Sequence, residues 1–256
     1  DLFSLIENNS YDPEYKGYFE AYSRDWKPIE DVSLSEKDMN VAKSMNTHLH
    51  ILEAYTNLYR VWPDPGLESK LKELIEVVIN NIVDQDQYRF KLFFDQDWKS
   101  KSDIISYGHD IEGSWLLYEA AEVLGEQVVL DFVEDYALKM AAEVLENGTA
   151  ADGSIYYESE ADQLDKDRHW WPQAEAVVGF INAYQLSGEE EFIQAAAKTW
   201  DYIVKNIVDQ ENGGWYWLVN DQGEADSKAK INAWKSPYHS SRACYEIINR
   251  IEQILS

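Results

Sequence analysis

The sequence predicts an all-α fold in which helical hairpins form two rings, as in an α/α barrel. Three observations support this prediction: amphipathic helices alternate with helices that are apolar on nearly every side, a turn motif recurs four times, and short connections alternate with long ones. With 256 residues, the chain is long enough for one domain with a substantial core. We therefore expect a single domain over residues 1–256.

The amphipathic helices predict the outer ring. They are residues 67–84, 127–147 and 189–208. In the first of them Leu67, Leu71 and Leu74 share one face, and Lys70 lies on the opposite face. A helix of this kind covers a core on one side and faces water on the other.

The other helices predict the inner ring, because each is apolar except for one thin polar stripe. They are residues 41–60, 109–124, 171–186 and 237–254. The stripes begin with Asn46 and His50, with His109 and Glu112, with Glu175, and with His239. Such stripes suit inner helices that face a wet lumen, and a buried polar network within a helical bundle is the alternative.

A motif made of a helix end, a turn and alternating aromatic residues recurs along the chain. Its four copies are residues 11–22, 84–94, 152–157 and 209–217. Each contains an aspartate that we expect to anchor the turn: Asp12, Asp84, Asp152 and Asp209. The motif predicts a degenerate repeat of helical hairpins with short β-hairpins in the long loops.

Connection lengths place the functional site at one end of the predicted barrel. The links at 61–66, 125–126 and 187–188 are short, whereas the loops at 85–108, 148–170 and 209–236 are long. The long loops therefore precede the inner helices, where the polar stripes also begin, and loops of this length are usually functional. The helices amount to about four hairpins, including a stub at 2–8, and a closed barrel of six would need further helices before Asp1.

Composition excludes several classes of protein. Lys and Arg number 22 and Asp and Glu number 48, so the formal net charge is −26. A chain this acidic repels phosphate backbones and anionic lipids, and we expect neither a nucleic-acid nor a membrane partner. A single cysteine, Cys244, allows no intramolecular disulfide and no thiolate zinc site. The first ten residues show no signal-peptide pattern, so we expect a cytoplasmic protein.

Two histidine pairings are candidates for proton-transfer chemistry. His50 shares a helical face with Asn46, whereas His48 points nearly the opposite way and is predicted to pack in the core. His109 and Glu112 lie one turn apart at a helix start, where a carboxylate orients an imidazole and favours its cationic form. Each spacing also has a structural explanation. His50 could be a hydrogen-bonded core histidine, and His109 with Glu112 could form a capping turn with a surface glutamate.

Tryptophans beside these groups point to a sugar site. Trp170 and Trp171 precede Glu175 on a predicted inner helix, and Trp234 precedes His239. Indole rings can stack on the C–H face of a sugar while a carboxylate accepts its hydroxyl groups, although paired tryptophans also suit a core. We expect neither a metal nor a cofactor, because the chain has no glycine-rich phosphate loop and no clustered ligands of suitable spacing.

Four ordered segments resemble the cellobiose 2-epimerases of the N-acylglucosamine 2-epimerase superfamily. They are residues 46–55 (NTHLHILEAY), 106–115 (SYGHDIEGSW), 170–180 (WWPQAEAVVGF) and 234–239 (WKSPYH). The resemblance covers essentially the whole chain. It implies an (α/α)6 barrel of which this chain is the C-terminal two thirds, so that an active-site arginine and a tyrosine on N-terminal helices would lie outside it.

The resemblance also implies an activity. The family epimerises C2 of the reducing-end glucose of cellobiose and related β-1,4-linked disaccharides, without a cofactor, through ring opening and a cis-enediolate. His109 and His239 would be the general acid/bases on opposite faces of C2. The remaining implied roles are His50 in ring opening or enediolate stabilisation, Glu112 in support of His109, and Asn46, Trp170, Trp171, Glu175 and Trp234 in substrate binding. Cellobiose, lactose and mannobiose are the expected substrates, and the full-length protein is expected to be a monomer.

Three alternatives share these features. The first is a glycoside hydrolase on an α/α barrel, which would cleave cellobiose to glucose. The second is an N-acylglucosamine 2-epimerase or an aldose–ketose isomerase of the same superfamily. The third is a helical scaffold that binds a sugar without turnover. Product analysis separates them, because epimerisation of cellobiose yields glucosyl-mannose.

Overall fold

The chain is mostly helical in the computed structural model, which describes residues 1–35, 38–161 and 163–256. Its α-helices are α1 (Leu2–Asn9), α2 (Met45–Val61), α3 (Pro65–Val77), α4 (Tyr107–Leu124), α5 (Gln127–Glu143), α6 (Trp170–Ser187), α7 (Glu190–Tyr202) and α8 (Tyr238–Leu255). Among these described helices, none has the length and apolar character needed to cross a membrane. Every helix predicted from the sequence is present, and the boundaries agree within a few residues apart from the ends of the amphipathic helices.

The three amphipathic helices do not end as regular α-helices. Each closes with a π-helical turn: Val78–Ile82 after α3, Val144–Gly148 after α5 and Ile203–Ile207 after α7. In the first turn the Val83 N–H donates to Val78 O, five residues back, and Val208 donates to Ile203 in the same way. The sequence did not predict these wider turns, because a single π-helical turn at a helix end is too short to have a hydrophobic period of its own.

Short strands lie in the long loops. They are β1 (Lys43–Ser44), β2 (Phe93–Phe94), β3 (Ile105–Ser106), β4 (Glu158–Glu160), β5 (Gln163–Asp165), β6 (Arg168–His169) and β7 (Leu218–Val219). The antiparallel pairs include β1 with β2, β4 with β5 and β6 with β7. Because β1, β3 and β6 run directly into α2, α4 and α6, these strands set where the polar-striped helices begin.

The chain divides into two compact units. Unit 1 comprises residues 1–105 and 116–131, and unit 2 comprises residues 106–115 and 132–256. In unit 1, α2 packs on α3 through leucines that are essentially buried: Leu49, Leu52, Leu71 and Leu74. Helix α3 starts where the Asp64 carboxylate accepts the Gly66 and Leu67 N–H groups, with Pro65 in the first turn.

In unit 2, α6 packs against both α7 and α8. Its residues from Trp170 to Ala183 are all buried, which is the pattern expected of a helix that is apolar on nearly every side. Gly179 permits a close approach to α4, because a Cβ at this position would lie 2.6 Å from Ile111 Cγ1. This contact joins the start of α4 to α6 within the unit.

The four repeated motifs are turns, each closed by a single β-bridge. The bridges are Tyr11 to Tyr18, Val83 to Phe90, Thr149 to Ile155 and Val208 to Trp215. In three of them the residue after the bridge is an aspartate that accepts two turn N–H groups: Asp12, Asp84 and Asp209. Asp152 also accepts a turn N–H, that of Ser154, but it lies two residues further along, because Ala150 is the residue after the bridge.

A buried lysine ties the first of these turns to the start of α2. Lys43 Nζ lies 2.9 Å from Asp12 Oδ2 and also donates to Lys16 O and Gln96 O at 2.7 and 2.8 Å. Its side chain is fully buried, so these acceptors replace the water that an ammonium group requires. Burial would raise the pKa of Asp12, but Lys43 and the turn N–H groups outweigh it and lower that pKa.

Candidate functional site

The start of three helices of unit 2 brings a carboxylate pair, an imidazole and a guanidinium together. Arg242 Nη2 lies 2.5 Å from Glu112 Oε1 and 2.7 Å from Glu175 Oε1. His239 Nδ1 lies 2.7 Å from Glu175 Oε1 and 3.8 Å from Glu112 Oε1. Because α4, α6 and α8 each contribute to it, we name Glu112, Glu175, His239 and Arg242 the carboxylate–imidazole cluster.

Each member reaches the cluster through its position on a helix. Glu175 lies one turn after Trp171 on α6, and Glu112 lies in the second turn of α4. Pro237 sets the start of α8, so His239 falls in the first turn and Arg242 follows three residues later on the same face. Arg242 belongs to the polar stripe that the sequence predicts for residues 237–254, but its spacing from His239 alone assigned it no role in the site.

The two carboxylates of the cluster are almost completely buried. Glu112 and Glu175 are 1% and 0% exposed, respectively. Burial would raise the pKa of Glu175, but the charge of Arg242 and the hydrogen bond from His239 outweigh it, and the pKa is lowered. Trp115 Nε1 donates to the second oxygen of Glu175 at 3.2 Å. Glu175 is therefore held as a hydrogen-bonded carboxylate.

Glu112 keeps one oxygen unused. Its Oε2 atom is buried and has no hydrogen-bond partner among the residues that the structure describes. The Oε1 atom of Glu112 contacts Arg242 and His239, and the support of His109 by Glu112 stays a prediction. The contact with the guanidinium of a neighbouring helix is one that spacing along α4 cannot show.

Two imidazoles of unit 2 contact the same indole ring. The ring centroid of Trp171 lies 4.6 Å from that of His109 and 5.5 Å from that of His239. His109 Nδ1 is paired with Ser106 Oγ at 2.8 Å, and His239 Nδ1 is paired with Glu175. Both rings therefore pair Nδ1 with a polar side chain of the same unit.

A glycine makes the contact between His109 and Trp171 possible. A Cβ on Gly108 would lie 2.5 Å from Trp171 Cη2 and 2.8 Å from Pro172 Cγ, which is closer than real Cβ contacts. The sequence placed Gly108 at the end of the loop, but it belongs to the first turn of α4. Its missing side chain lets the indole lie directly on the helix backbone beside His109.

The three candidate tryptophans differ in exposure. Trp171 is 8% exposed between the two imidazoles, and Trp234 is 61% exposed. Trp170 is 3% exposed, with Trp217 at 4.6 Å between ring centroids and Lys235 Nζ at 4.7 Å from its ring. This packing leaves Trp170 little surface for a sugar, and substrate binding by all three tryptophans stays a prediction.

The candidate residues of unit 1 lie on α2. His50 Nδ1 is 3.4 Å from Glu53 Oε2 and its side chain is 40% exposed, whereas Asn46 is half-buried. His48 is buried as predicted: Nδ1 donates to Ser44 O at 2.6 Å and Nε2 accepts the Tyr18 N–H at 2.8 Å. Burial lowers the pKa of His48 to about 4, so the ring is neutral at pH 7.

The polar stripes of α6 and α8 also pair with each other beyond the cluster. Arg250 Nη1 lies 2.9 Å from Asn182 Oδ1, and Arg250 Nε lies 3.2 Å from Glu246 Oε2. A part-buried polar network therefore connects α6 and α8 in unit 2, together with the cluster at the helix starts. Neither feature excludes the other.

Three members of the cluster have the spacing of metal ligands, but the guanidinium of Arg242 already contacts the carboxylate oxygens. Ligand atoms of Glu112, Glu175 and His239 lie within 4.8 Å of one another. Arg242 Nη2 donates to both carboxylate oxygens, and the hydrogen bond to Glu175 engages His239 Nδ1. A metal would have to displace this guanidinium, so the donor set fits an ion-pair network better than a metal site.

Known proteins match almost the whole of this chain in sequence. The family model for N-acylglucosamine 2-epimerase matches residues 3–243. A cellobiose 2-epimerase of Bacteroides fragilis is 45% identical over 250 residues, which cover 96% of this chain and 64% of that protein. A cellobiose 2-epimerase of Ruminococcus albus is 40% identical, with 97% and 64% coverage. The chain thus spans about two thirds of the length of these relatives.

Solved structures support the same relationship. The structure of cellobiose 2-epimerase from Bacillus thermoamylovorans matches with a TM-score of 0.93 and 39% identity, over 97% of this chain and 64% of that one. A D-mannose isomerase structure matches with a TM-score of 0.78 at 19% identity, which shows a common fold. The predicted all-α fold of the α/α-barrel class is confirmed.

The fold thus groups the chain with helical proteins that include cellobiose 2-epimerases and a D-mannose isomerase. The chain belongs to the N-acylglucosamine 2-epimerase family, and it is similar to the cellobiose 2-epimerases within it.

Proposed function

We propose that the full-length protein epimerises C2 of the reducing-end glucose of cellobiose, giving glucosyl-mannose, and that it needs no cofactor. The observation that carries this proposal is the placement of the His109 and His239 imidazoles against one indole, that of Trp171, with one imidazole coupled to a buried carboxylate. The similarity to cellobiose 2-epimerases supports the choice of substrate. Lactose and mannobiose, which share the β-1,4 linkage, are further substrates of this proposal.

The chemistry requires two bases. After the sugar ring opens, one imidazole removes the proton from C2, and the C–H electron pair moves toward the C1 carbonyl to form a cis-enediolate. The other imidazole, in its cationic form, returns a proton to the opposite face of C2, which inverts that carbon. Histidine suits both roles, because each residue acts as base in one direction and as acid in the other.

The carboxylate–imidazole cluster prepares His239 for this role. Glu175 accepts a hydrogen bond from the Nδ1–H group of His239 and so sets the tautomer of the ring. The same carboxylate stabilises the imidazolium that forms when Nε2 takes a proton. Arg242 contacts both carboxylates and so holds Glu175 in place against His239. In this assignment Arg242 is a positioning residue, and His109 and His239 are the catalytic ones.

Proton exchange with solvent tests this function directly. In D2O, the full-length protein acting on cellobiose should give glucosyl-mannose that carries deuterium at C2, observed by NMR. His239→Asn should abolish epimerisation, because the amide has a similar size but cannot act as a base. His169→Asn is the matched control: this ring stacks on Tyr157 at 3.8 Å, and the variant should keep its activity.

Each alternative gives a different product. A product without solvent deuterium would indicate a hydride shift or a fully shielded single base. Either result would contradict the two-base mechanism, as would full turnover by His239→Asn. Glucose as the product would indicate a glycoside hydrolase. A ketose would indicate protonation at C1, the outcome of an aldose–ketose isomerase.

A further inference from the structure

Unit 1 contains a cavity that the proposed chemistry does not use. Its volume is about 360 Å³, which is within the range of small-ligand sites. The segment after the first repeated turn lines one side and α2 lines the other, with Phe19, Glu20, Tyr22, Trp26, Thr47 and Ile51 among the lining residues. Aromatic rings, a carboxylate and a hydroxyl thus meet in one concave surface.

The carboxylate of Glu20 is incompletely satisfied. Its Oε2 atom is buried and has no hydrogen-bond partner within the described part of the chain. Burial raises the pKa of Glu20, and the neighbouring Ser44 and Thr47 offset this only in part. A buried acceptor without a partner is costly, so a donor supplied by a ligand would stabilise the complex.

Trp26 has a backbone conformation that favours glycine. Four five-residue turns share the same two hydrogen bonds: in each, the first N–H donates to the fifth carbonyl and the fourth N–H donates to the first carbonyl. They are residues 23–27, 95–99, 150–154 and 220–224. The fourth residue has a φ of 86° and 83° at Gly153 and Gly223, but 67° and 60° at Trp98 and Trp26. A bulky side chain at such a φ is strained.

Packing explains Trp98 but not Trp26. Trp98 lies 4.5 Å under Lys43 Nζ and donates its indole N–H to Tyr15 O at 2.8 Å. Trp26 is 39% exposed at the cavity, and its ring lies 5.9 Å from that of Tyr22. Strain that holds a half-exposed indole at a cavity is typical of a binding residue, because packing does not compensate for it.

We propose that this cavity is a carbohydrate-binding site that takes a neutral pyranose ring. The C–H face of the ring stacks on Trp26 and Tyr22, and a sugar hydroxyl donates to Glu20 Oε2. The net charge of −26 disfavours anionic sugars. The site goes beyond the proposed function and needs no ring opening; only the choice of a β-1,4-linked glucoside as its ligand rests on that function.

The test uses methyl β-cellobioside as the probe. Its anomeric carbon is blocked as an acetal, so the ring cannot open and binding is measured without turnover. Tryptophans of the full-length protein are labelled with 5-fluorotryptophan, and the Trp26 resonance is assigned by its loss in Trp26→Phe. The Trp26 resonance should shift saturably during a titration to about 100 mM, whereas sorbitol, an open-chain polyol, should leave it in place.

Variants of the carboxylate test the recognition. Glu20→Gln should weaken binding about tenfold, because a neutral amide accepts the hydroxyl more weakly than a carboxylate does. Glu122→Gln, at an exposed glutamate of α4, is the matched control and should bind as the parent does. If Glu20→Gln fails to fold, Tyr22→Leu tests the same site through loss of the stacking ring and should also weaken binding.

Three results would overturn the proposal: no saturable shift of the Trp26 resonance, an equal shift with sorbitol, or unchanged affinity in the folded variants of Glu20 and Tyr22. Failure of the proposed function would be distinguishable from failure of this site, because the deuterium content of the product from cellobiose does not affect the titration with methyl β-cellobioside. Conversely, epimerisation with no response at Trp26 would leave the catalytic proposal intact and exclude this site.

Discussion

Removal of Arg242 tests the carboxylate–imidazole cluster most directly. Arg242→Met keeps a similar length of side chain but leaves Glu112 and Glu175, which are 1% and 0% exposed, without the guanidinium that contacts both. Breaking a buried ion pair by removing one partner costs about 3–5 kcal/mol, because the remaining charge stays buried. For a protein of this size, the melting temperature should fall by roughly 10 °C.

The stability that Arg242→Met loses relative to the parent protein should depend on pH. In the parent protein the pKa of Glu175 lies below its usual value of 4.5, so its stabilising contribution is present above that pH and is lost as the pH falls through the lowered pKa. In Arg242→Met, burial without the guanidinium raises the pKa of Glu175, and the group takes up a proton at a higher pH. The difference in stability should therefore be largest near pH 7 and should shrink toward pH 4.

Urea unfolding of both proteins between pH 4 and 7 measures this difference. Arg60→Met is the matched control, because Arg60 and Glu119 form an ion pair at 2.6 Å whose arginine is 43% exposed. Loss of such a surface pair should cost less than about 1 kcal/mol at any pH in this range. An Arg242→Met variant as stable as the parent at pH 7, or with a deficit independent of pH, would refute the reasoning.

Three further predictions concern other parts of the chain. Gly108→Ala should cost about 1–3 kcal/mol in thermal unfolding and lower epimerase turnover, since the added Cβ displaces Trp171; unchanged stability and turnover would contradict this role. The parent should lose about 3 kcal/mol as the pH falls from 6.5 to 4, because the pKa of His48 is lowered to about 4, and His48→Asn should lose less in urea unfolding; parallel pH profiles would argue against it. EDTA treatment should leave turnover intact, and loss that one divalent ion restores would show that the proposed chemistry needs a metal.

The sequence alone predicted the helices and the alternation of short and long connections. Residues 41–60 became α2 and residues 171–186 became α6, because an apolar pattern with a period of 3.6 is a property of each segment by itself. The separation of His48 from His50 also followed from helical geometry, and the structure buries His48 as predicted. The sequence therefore determined the features that depend only on spacing along one helix.

Tertiary structure decided which side chains meet. Glu112 contacts Arg242 on α8, 130 residues away, and this pairing depends on how one helix is rotated against another, which packing sets. The same reason made Gly108 a contact point for Trp171 and buried Trp170. Spacing within a helix is local, whereas the register between helices depends on every side chain in the interface, and this is why only the folded chain shows the cluster.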